Sequence, residues 1–359
     1  MNFAFYISNH GFGHAARNIP LIEKIWRDDK KHRIFIKTDS VRVEMIKRNL
    51  TYCDERIIYC GSYKECGIIF RDDCLEVDIG ELYHEVKKEI QAWDSLIARE
   101  IEILKREKID IVISDITPWV LKACRILHIP SVLISNFTWF DHYKLYLPEE
   151  LSSPYKECYK LAEQVVFYDL HVRQMQQYCN SVTEVSLVAR RGNSIVAEQI
   201  RRQYKTPIIF VSIGKSVSIV DSIEVGNIPY TFIATQGVNL TGNNVVFLPE
   251  TVVNTMDYIS ASDYVISKCG WSTVAEILLN NKKCALLSYS DSLEEKAILE
   301  KVIKGNNGLS ISFADFKYRL DEVIRKLSQL QNPSDIYWDD RDKIVEIIYS
   351  GVKNDSFVS

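Results

Sequence analysis

Two glycine turns carry the residues best suited to chemistry. The first, Asn9-His10-Gly11-Phe12-Gly13-His14-Ala15-Ala16-Arg17, follows a short apolar run. Glycines let a strand bend tightly into a helix, and in doubly wound sheets that bend faces the ligand crevice. A histidine in the first helical turn feels the positive end of the helix dipole. That field disfavours imidazolium and leaves the ring able to take a proton near neutral pH. His14 is therefore a candidate general base, with Gly11, Phe12 and Gly13 beside the molecule it would deprotonate. His10 reads as a residue that caps or packs the turn. A base needs an orienting partner, and Asp115, at the end of Ile111-Val112-Ile113-Ser114, is placed to fix its tautomer. Asp115 equally suits capping the helix that Pro118 opens. Asn136, Phe137, Trp139 and Phe140 follow the next apolar run. An amide among aromatic rings suits a wall for a sugar acceptor; packing, or a patch that touches lipid, would use the same residues.

The second turn is Ser267-Lys268-Cys269-Gly270-Trp271-Ser272-Thr273-Val274-Ala275-Glu276. Backbone amides at Gly270, Trp271, Ser272 and Thr273, backed by a helix dipole, make a site for a diphosphate. Glu276, one helical turn onward, can reach a ribose diol. An ordinary turn with a Ser/Thr cap and a solvated glutamate is the plain alternative. Gly214, Lys215 and Ser216 form a similar turn after an earlier run, without the spacing of a P-loop, which argues against a kinase or ATPase of that class. The first turn also fits the dinucleotide pattern GxGxxA, and Asp39 ends the second apolar run, so an NAD(P)-dependent oxidoreductase is a rival. The bulk of His14 in that loop and the phosphate turns of the second half count against it. No metal site is expected: the DxD-like pairs, Asp72-Asp73 and Asp340-x-Asp342, read as surface-loop or cap residues.

Two series of short β-rich runs alternating with helical patterns must position these residues. The first covers residues 2–8, 33–38, 56–60, 110–114, 131–135 and 165–168; the second 208–213, 230–235, 244–248, 264–267, 284–288 and 308–312. Runs apolar on both faces belong to parallel sheets covered by helices. The chain of 359 residues thus reads as α/β, with two doubly wound Rossmann-like domains, residues 1–185 and 186–335. Strand signal lapses over 183–203, and 189–193 resembles a linker. Residues 81–108 read as a long charged amphipathic helix. Residues 336–359 include a helical pattern at 337–350 expected to cross back to the first domain.

A net charge of -4 leaves no footprint for nucleic acid or strong attraction to an anionic membrane. No apolar run approaches the ~20 residues of a membrane span, and the first residues read as a strand rather than a signal peptide. Nine scattered cysteines without a CxxC fit a reducing cytoplasm. The N-x-T matches at Asn49, Asn136 and Asn239 are then chance.

With these residues in hand, the chain resembles the GT-B glycosyltransferases. It is similar to the inverting family of MurG-type N-acetylglucosaminyltransferases, diacylglycerol sugar transferases and plant natural-product transferases. The likeness spans nearly the whole chain and is strongest at Gly11-Phe12-Gly13-His14, at Ser114-Asp115 and from Ser267 to Glu276. The stretches Asp115-Ile116-Thr117-Pro118, Ile129-Pro130-Ser131-Val132 and Ser135-Asn136-Phe137-Thr138-Trp139 also resemble the glycosyltransferase-like domain preceding some plant sugar kinases.

The resemblance implies two domains facing across a cleft, His14 as base, Asp115 as its partner, diphosphate at Gly270, Trp271, Ser272 and Thr273, and ribose at Glu276. It assigns the segment Phe247, Leu248 and Pro249 to the uracil base. The usual acidic-Gln pair for the donor sugar is replaced by Glu294-Glu295, after Asp291, and Trp271 stands where a smaller residue is commoner. The expected reaction moves a hexose-type sugar from a nucleotide donor, expected to be UDP, to an acceptor hydroxyl with inversion. Lys215 or Lys268 would assist the leaving diphosphate, and neither cofactor nor metal is required. Weak peripheral membrane contact is expected from the family alone. A nucleotide-sugar hydrolase or 2-epimerase, and a catalytically silent nucleotide-sugar-binding protein, are the other readings of the same scaffold.

Overall fold

The computed structural model describes residues 1–61, 64–71, 76–213, 219–252, 254–288 and 292–354. The chain forms two compact units: Met1–Ser186 with Asp340–Ser359, and Leu187–Asp339.

The first unit runs β1 (Asn2–Ile7), α1 (Gly13–Asp28), β2 (Arg33–Lys37), α2 (Ser40–Asn49), β3 (Ile57–Cys60), α3 (Ile79–Arg106), β4 (Ile111–Asp115), α4 (Val120–Leu127), β5 (Ser131–Ser135), α5 (Trp139–Tyr143), α6 (Glu149–Tyr159), β6 (Gln164–Tyr168) and β7 (Val182–Val185). Its seven strands pair in parallel in the order β3-β2-β1-β4-β5-β6-β7. The chain winds outward in both directions from β1 and β4, so the switch point lies between those two strands. Every residue of β4 and β5 is buried, as their continuous apolar runs require. Asp78 caps α3, accepting from the Glu81 amide at 2.9 Å, and Leu82, Val86, Trp93, Ile97 and Leu104 recur on its buried face. The same face buries Glu100. Its carboxylate accepts from Tyr6 Oη at 2.6 Å and pairs with the Lys37 ammonium, itself only 4% exposed.

The second unit runs α7 (Ser194–Arg202), β8 (Ile208–Ser212), β9 (Ile219–Glu224), β10 (Thr231–Ala234), β11 (Val238–Thr241), β12 (Val245–Phe247), α8 (Met256–Ala261), β13 (Tyr264–Lys268), α9 (Trp271–Leu279), β14 (Lys283–Leu287), α10 (Leu293–Lys304), β15 (Gly308–Ile311), α11 (Phe313–Tyr318) and α12 (Leu320–Gln329). Six strands form a parallel sheet in the order β12-β10-β8-β13-β14-β15, with its switch point between β8 and β13. Strands β9 and β11 pair in parallel as a separate two-stranded sheet, and Ile223, Val238 and Leu240 join the core built on Ile209, Val211 and Phe232. After this unit the chain returns to the first as α13 (Arg341–Asn354), which packs on α1. Tyr349 Oη donates to Asp28 Oδ2 at 2.9 Å there, and a Cβ at Gly351 would meet Ile111 at 3.1 Å.

Each apolar run read from the sequence is a strand, giving an α/β architecture of two Rossmann-like bodies. Three further strands were not anticipated. β7 is a largely exposed edge strand at the start of the stretch read as lapsing, and α7 fills much of the remainder. β9 breaks its apolar residues with Asp221-Ser222, and β11 is short and buries only Val238 and Leu240, too brief an alternation to register. Among the described residues no helix is long and apolar enough to cross a membrane.

Removing one member of a buried ion pair leaves the other charge without compensation, at a cost of about 3–5 kcal/mol. Lys37→Met should lower unfolding stability by that order in urea titration, and Lys37→Met with Glu100→Leu should recover most of the loss.

Candidate active site

The register of β1 against β4 sets Ile7 opposite Asp115 at the switch point of the first sheet. From Ile7 the chain turns through Gly11, whose φ of +78° is a left-handed conformation that favours glycine. Helix α1 then starts at Gly13, which puts His14 in its first turn. His14 Nδ1 lies 2.8 Å from Asp115 Oδ1; the two residues are 6% and 0% exposed. Among the described residues no hydrogen bond is formed at His14 Nε2. Helix α4 is capped at Trp119 without a side-chain bond, so Asp115 is not its cap.

His14 is not the only residue that α1 aims at this carboxylate. Arg17 and Asn18 stand three and four positions on, on the same helical face. Arg17 grips Asp115 in two places: Nε donates to Oδ2 at 2.9 Å and Nη2 donates to Oδ1. Asn18 Nδ2 donates to Oδ2 at 2.5 Å. Arg17 Nη1 donates to Asn136 Oδ1, and the guanidinium lies 5.4 Å from the centre of the Tyr168 ring. Burial alone would raise the Asp115 pKa. The Arg17 and His14 charges and their hydrogen bonds reverse that and hold the group well below the ordinary carboxylate range.

The neighbouring candidates divide by exposure. Phe137 sets its ring edge-on to His14 at 5.8 Å and is 2% exposed. Trp139 is 1% exposed, stacks on Tyr143 and donates from Nε1 to Glu65 Oε1 at 3.1 Å. Both rings are engaged in packing, and Asn136 is fully buried with its Oδ1 held by Arg17, so none of the three is offered as an open wall. Arg42 lies over Phe12 and donates from Nε to the Gly11 carbonyl at 3.1 Å. Asp39 caps α2 and pairs with Arg42 at 2.8 Å, so the carboxylate the dinucleotide reading requires is already engaged. His10 packs edge-on against Trp139 and fills the space beside Gly67.

Glu65, in the chain between β3 and α3, is buried and also accepts from Thr117 Oγ1 at 3.3 Å. Its backbone amide donates to Asn9 Oδ1, and the next amide, of Cys66, donates to Glu89 Oε2 at 2.5 Å. This short segment lies over the first glycine turn.

In the second unit, β8 and β13 pair with Ser212 opposite Ser267, and Ser267 Oγ donates to the Ser212 carbonyl at 2.8 Å. The turn after β13 enters α9 at Gly270, where no side-chain oxygen caps the helix and no acidic residue occupies the first turn. Trp271 is buried, while Ser272 and Thr273 are half-buried. The Lys268 side chain lies 3.6 Å from where a Cβ on Gly270 would sit. Burial pulls the Lys268 pKa down, partly offset by the charges of Glu294 and Glu295. Glu295 accepts from Ser288 Oγ at 3.3 Å, and Cys269 Sγ contacts the Glu295 carbonyl, so the start of α10 abuts the turn. Gly214, Lys215, Ser216 and Asp291, like Asp72 and Asp73, lie outside the described residues.

Glu276 is buried. Its Oε1 accepts from Arg190 Nε at 2.9 Å and Nη2 at 2.7 Å, so the carboxylate is held rather than solvated. Phe247 and Pro249 are exposed on either side of buried Leu248 at the end of β12. Among the described residues no group of three or more His, Cys, Asp or Glu side chains gathers as a metal site.

Arg17, Asn18, Glu65 and Arg190 were not assigned from sequence. The spacing of Arg17 and Asn18 from His14 was the available signal. Glu65 and Arg190 sit in segments without regular structure, where sequence spacing carries no geometry.

No family model matches the chain. Among solved structures it superposes on a UDP-glucosyltransferase from Polygonum tinctorium with a TM-score of 0.63 at 12% identity, covering 99% of this chain and 94% of that one. Phytolacca americana UGT2, complexed with UDP-2fluoro-glucose and pterostilbene, gives 0.62 at 12% identity over 98% and 94%. The calicheamicin glycosyltransferase CalG4 gives 0.60 at 12% identity over 99% and 94%. The fold is GT-B. At these identities the likeness establishes architecture alone. A curated relative, the L-arabinokinase of Arabidopsis thaliana, is 25% identical over 290 residues, which are 77% of this chain. The chain spans 27% of that protein's length.

Burial of the Glu89 carboxylate, then the charge of Glu65, push the Glu89 pKa up to about 8 from about 4.5. Between those values the folded state holds more protons than the unfolded one, so stability falls as pH rises and is lowest above about pH 8. Urea unfolding at rising pH should show that decline in the wild type, and Glu89→Gln should flatten it.

Proposed function

We propose that the chain is an inverting, metal-independent glycosyltransferase that moves a hexose-type sugar from UDP to an acceptor hydroxyl. The observation that carries this reading is the His14–Asp115 contact at the switch point of a GT-B unit. In the reading, the donor sits on the second unit. Its diphosphate lies on the amides of Gly270, Trp271, Ser272 and Thr273, and its ribose on Glu276, oriented by Arg190. Phe247, Leu248 and Pro249 border the base. Glu294 and Glu295, with Asp291, receive sugar hydroxyls.

The acceptor binds on the first unit near Gly11, Phe12 and Gly13. Its oxygen loses a proton to His14 Nε2 and bonds to the anomeric carbon. The bond from that carbon to the diphosphate oxygen breaks on the opposite face, inverting configuration and releasing UDP. The helix N-terminus and the Lys268 ammonium, with Lys215, stabilise the charge that develops on the leaving group. In this reading they do the work that a divalent cation does in other transferases. A cytoplasmic location and weak peripheral membrane contact belong to the same proposal.

A thermal-shift panel of nucleotides and nucleotide sugars tests the donor class; UDP species at about 100 times Kd should stabilise the fold by about 2.7 kcal/mol. With an acceptor in hand, His14→Ala should cut turnover about 10²–10⁴-fold while UDP affinity survives. Unchanged turnover would remove His14 from the chemistry. Product analysis without acceptor separates transfer from hydrolysis and epimerisation.

Glu276→Ala should weaken UDP binding in calorimetry, and identical affinity would end the ribose assignment. Turnover unchanged in excess chelator is the expected result for metal independence.

A further inference from the structure

We infer that Arg17 is a positioning residue that sets the charge and tautomer of His14 through Asp115. The inference rests on the reading of His14 as the base. It goes beyond that reading because it assigns the base a third partner, with a distinct consequence.

The geometry places two opposed charges at one imidazole nitrogen. His14 Nδ1 has Asp115 Oδ1 at 2.8 Å and Arg17 Nη2 at 2.8 Å. A neutral imidazole has one hydrogen. If Nδ1 bears it and donates to Asp115, the lone pair at Nε2 is open to a proton. If instead Nδ1 accepts from Arg17, Nε2 carries the hydrogen and cannot act as a base. Arg17 is bound to Asp115 through both Nε and Nη2, while its Nη1 is held by Asn136 Oδ1. This fork fixes the carboxylate with Oδ1 toward the histidine. It therefore favours the tautomer with hydrogen on Nδ1.

The charge count follows from the same contacts. The groups that face His14 are Asp115 from β4, Arg17 from its own helix, and the uncharged Phe137 after β5. Tyr168 of β6 contacts Arg17. A lone buried carboxylate against an imidazole would draw a proton onto it and leave it without a lone pair for the acceptor. The Arg17 guanidinium cancels that charge, so the ring faces a neutral ion pair. Asp115 then serves to orient the ring.

The test uses the free 359-residue chain and needs no substrate. Imidazole nitrogen NMR, with the His14 signals assigned by their loss in His14→Gln, reads both tautomer and titration midpoint. In the wild type the neutral form should carry its hydrogen on Nδ1. Arg17→Met should raise the midpoint by at least about one pH unit. Arg17→Lys should stay nearer the wild type, and Asp115→Asn should lower the midpoint. The double variant Arg17→Met with Asp115→Asn should return toward the wild type.

If Arg17→Met does not fold, the comparison of Asp115→Asn with the double variant carries the test, with the midpoint rising in the double. No movement in either comparison, or hydrogen on Nε2 in the wild type, overturns the inference. An unmoved midpoint does not bear on whether His14 is the base; hydrogen on Nε2 would count against that reading as well, and the turnover of His14→Ala separates the two. Once turnover is measurable, the acid limb of the pH–rate profile should move to higher pH in Arg17→Met, which a purely structural role would not cause.

Discussion

A carboxylate with no exposure to water, at the end of a parallel strand, organises the first unit. Asp115 would be unstable there as an isolated charge, because burial costs an ion several kcal/mol. It is stable because one face of α1 delivers His14, Arg17 and Asn18 to it. That delivery depends on where α1 begins. Gly11 in the left-handed region turns the chain so that the helix starts at Gly13, and the three donors then fall at helical spacing on the side that faces β4. Starting the helix one residue later would rotate the face by about 100° and leave the carboxylate unpaired.

The two units solve the same placement problem with the same topology and different chemistry. Each sheet winds outward from a central pair, β1 with β4 and β8 with β13, and each pair ends at a turn carrying candidate residues. The first turn presents an imidazole. The second presents a helix start with no side-chain cap, a lysine leaning over the glycine, and two glutamates at the head of α10. A doubly wound sheet opens its crevice at such a switch point because the crossover helices diverge there to opposite faces.

The architecture was legible in the sequence because parallel strands buried on both faces must be continuously apolar. β4, β5 and β8 advertise themselves in that way. β7 and β11 do not: one is a mostly exposed edge, the other buries two side chains. Within the site, local information sufficed for residues next to a glycine turn or at a strand end, which is why His14, Asp115 and Gly270 could be named. It did not suffice for Trp139, whose ring is enclosed by Tyr143 of its own helix and by Glu65 brought from a distant segment, nor for Arg190, whose pairing with Glu276 spans 86 residues. Side-chain type told what these residues could do, while packing decided what they face.

For the proposed transfer, the arginine on Asp115 also shifts where the reaction would find its stabilisation. A histidine beside an uncompensated carboxylate becomes an imidazolium more readily, so much of the help arrives on the acceptor side. With the carboxylate already paired to Arg17, an imidazolium formed in that transfer would gain less from Asp115. In the proposed reaction the burden would then fall on the leaving diphosphate, where developing negative charge would meet a helix dipole and the Lys268 ammonium. That ammonium is itself restrained by Glu294 and Glu295, whose charges oppose the effect of burial on it. An acceptor in that reaction would need a base turned with Nε2 toward it, the orientation inferred for the Arg17 fork.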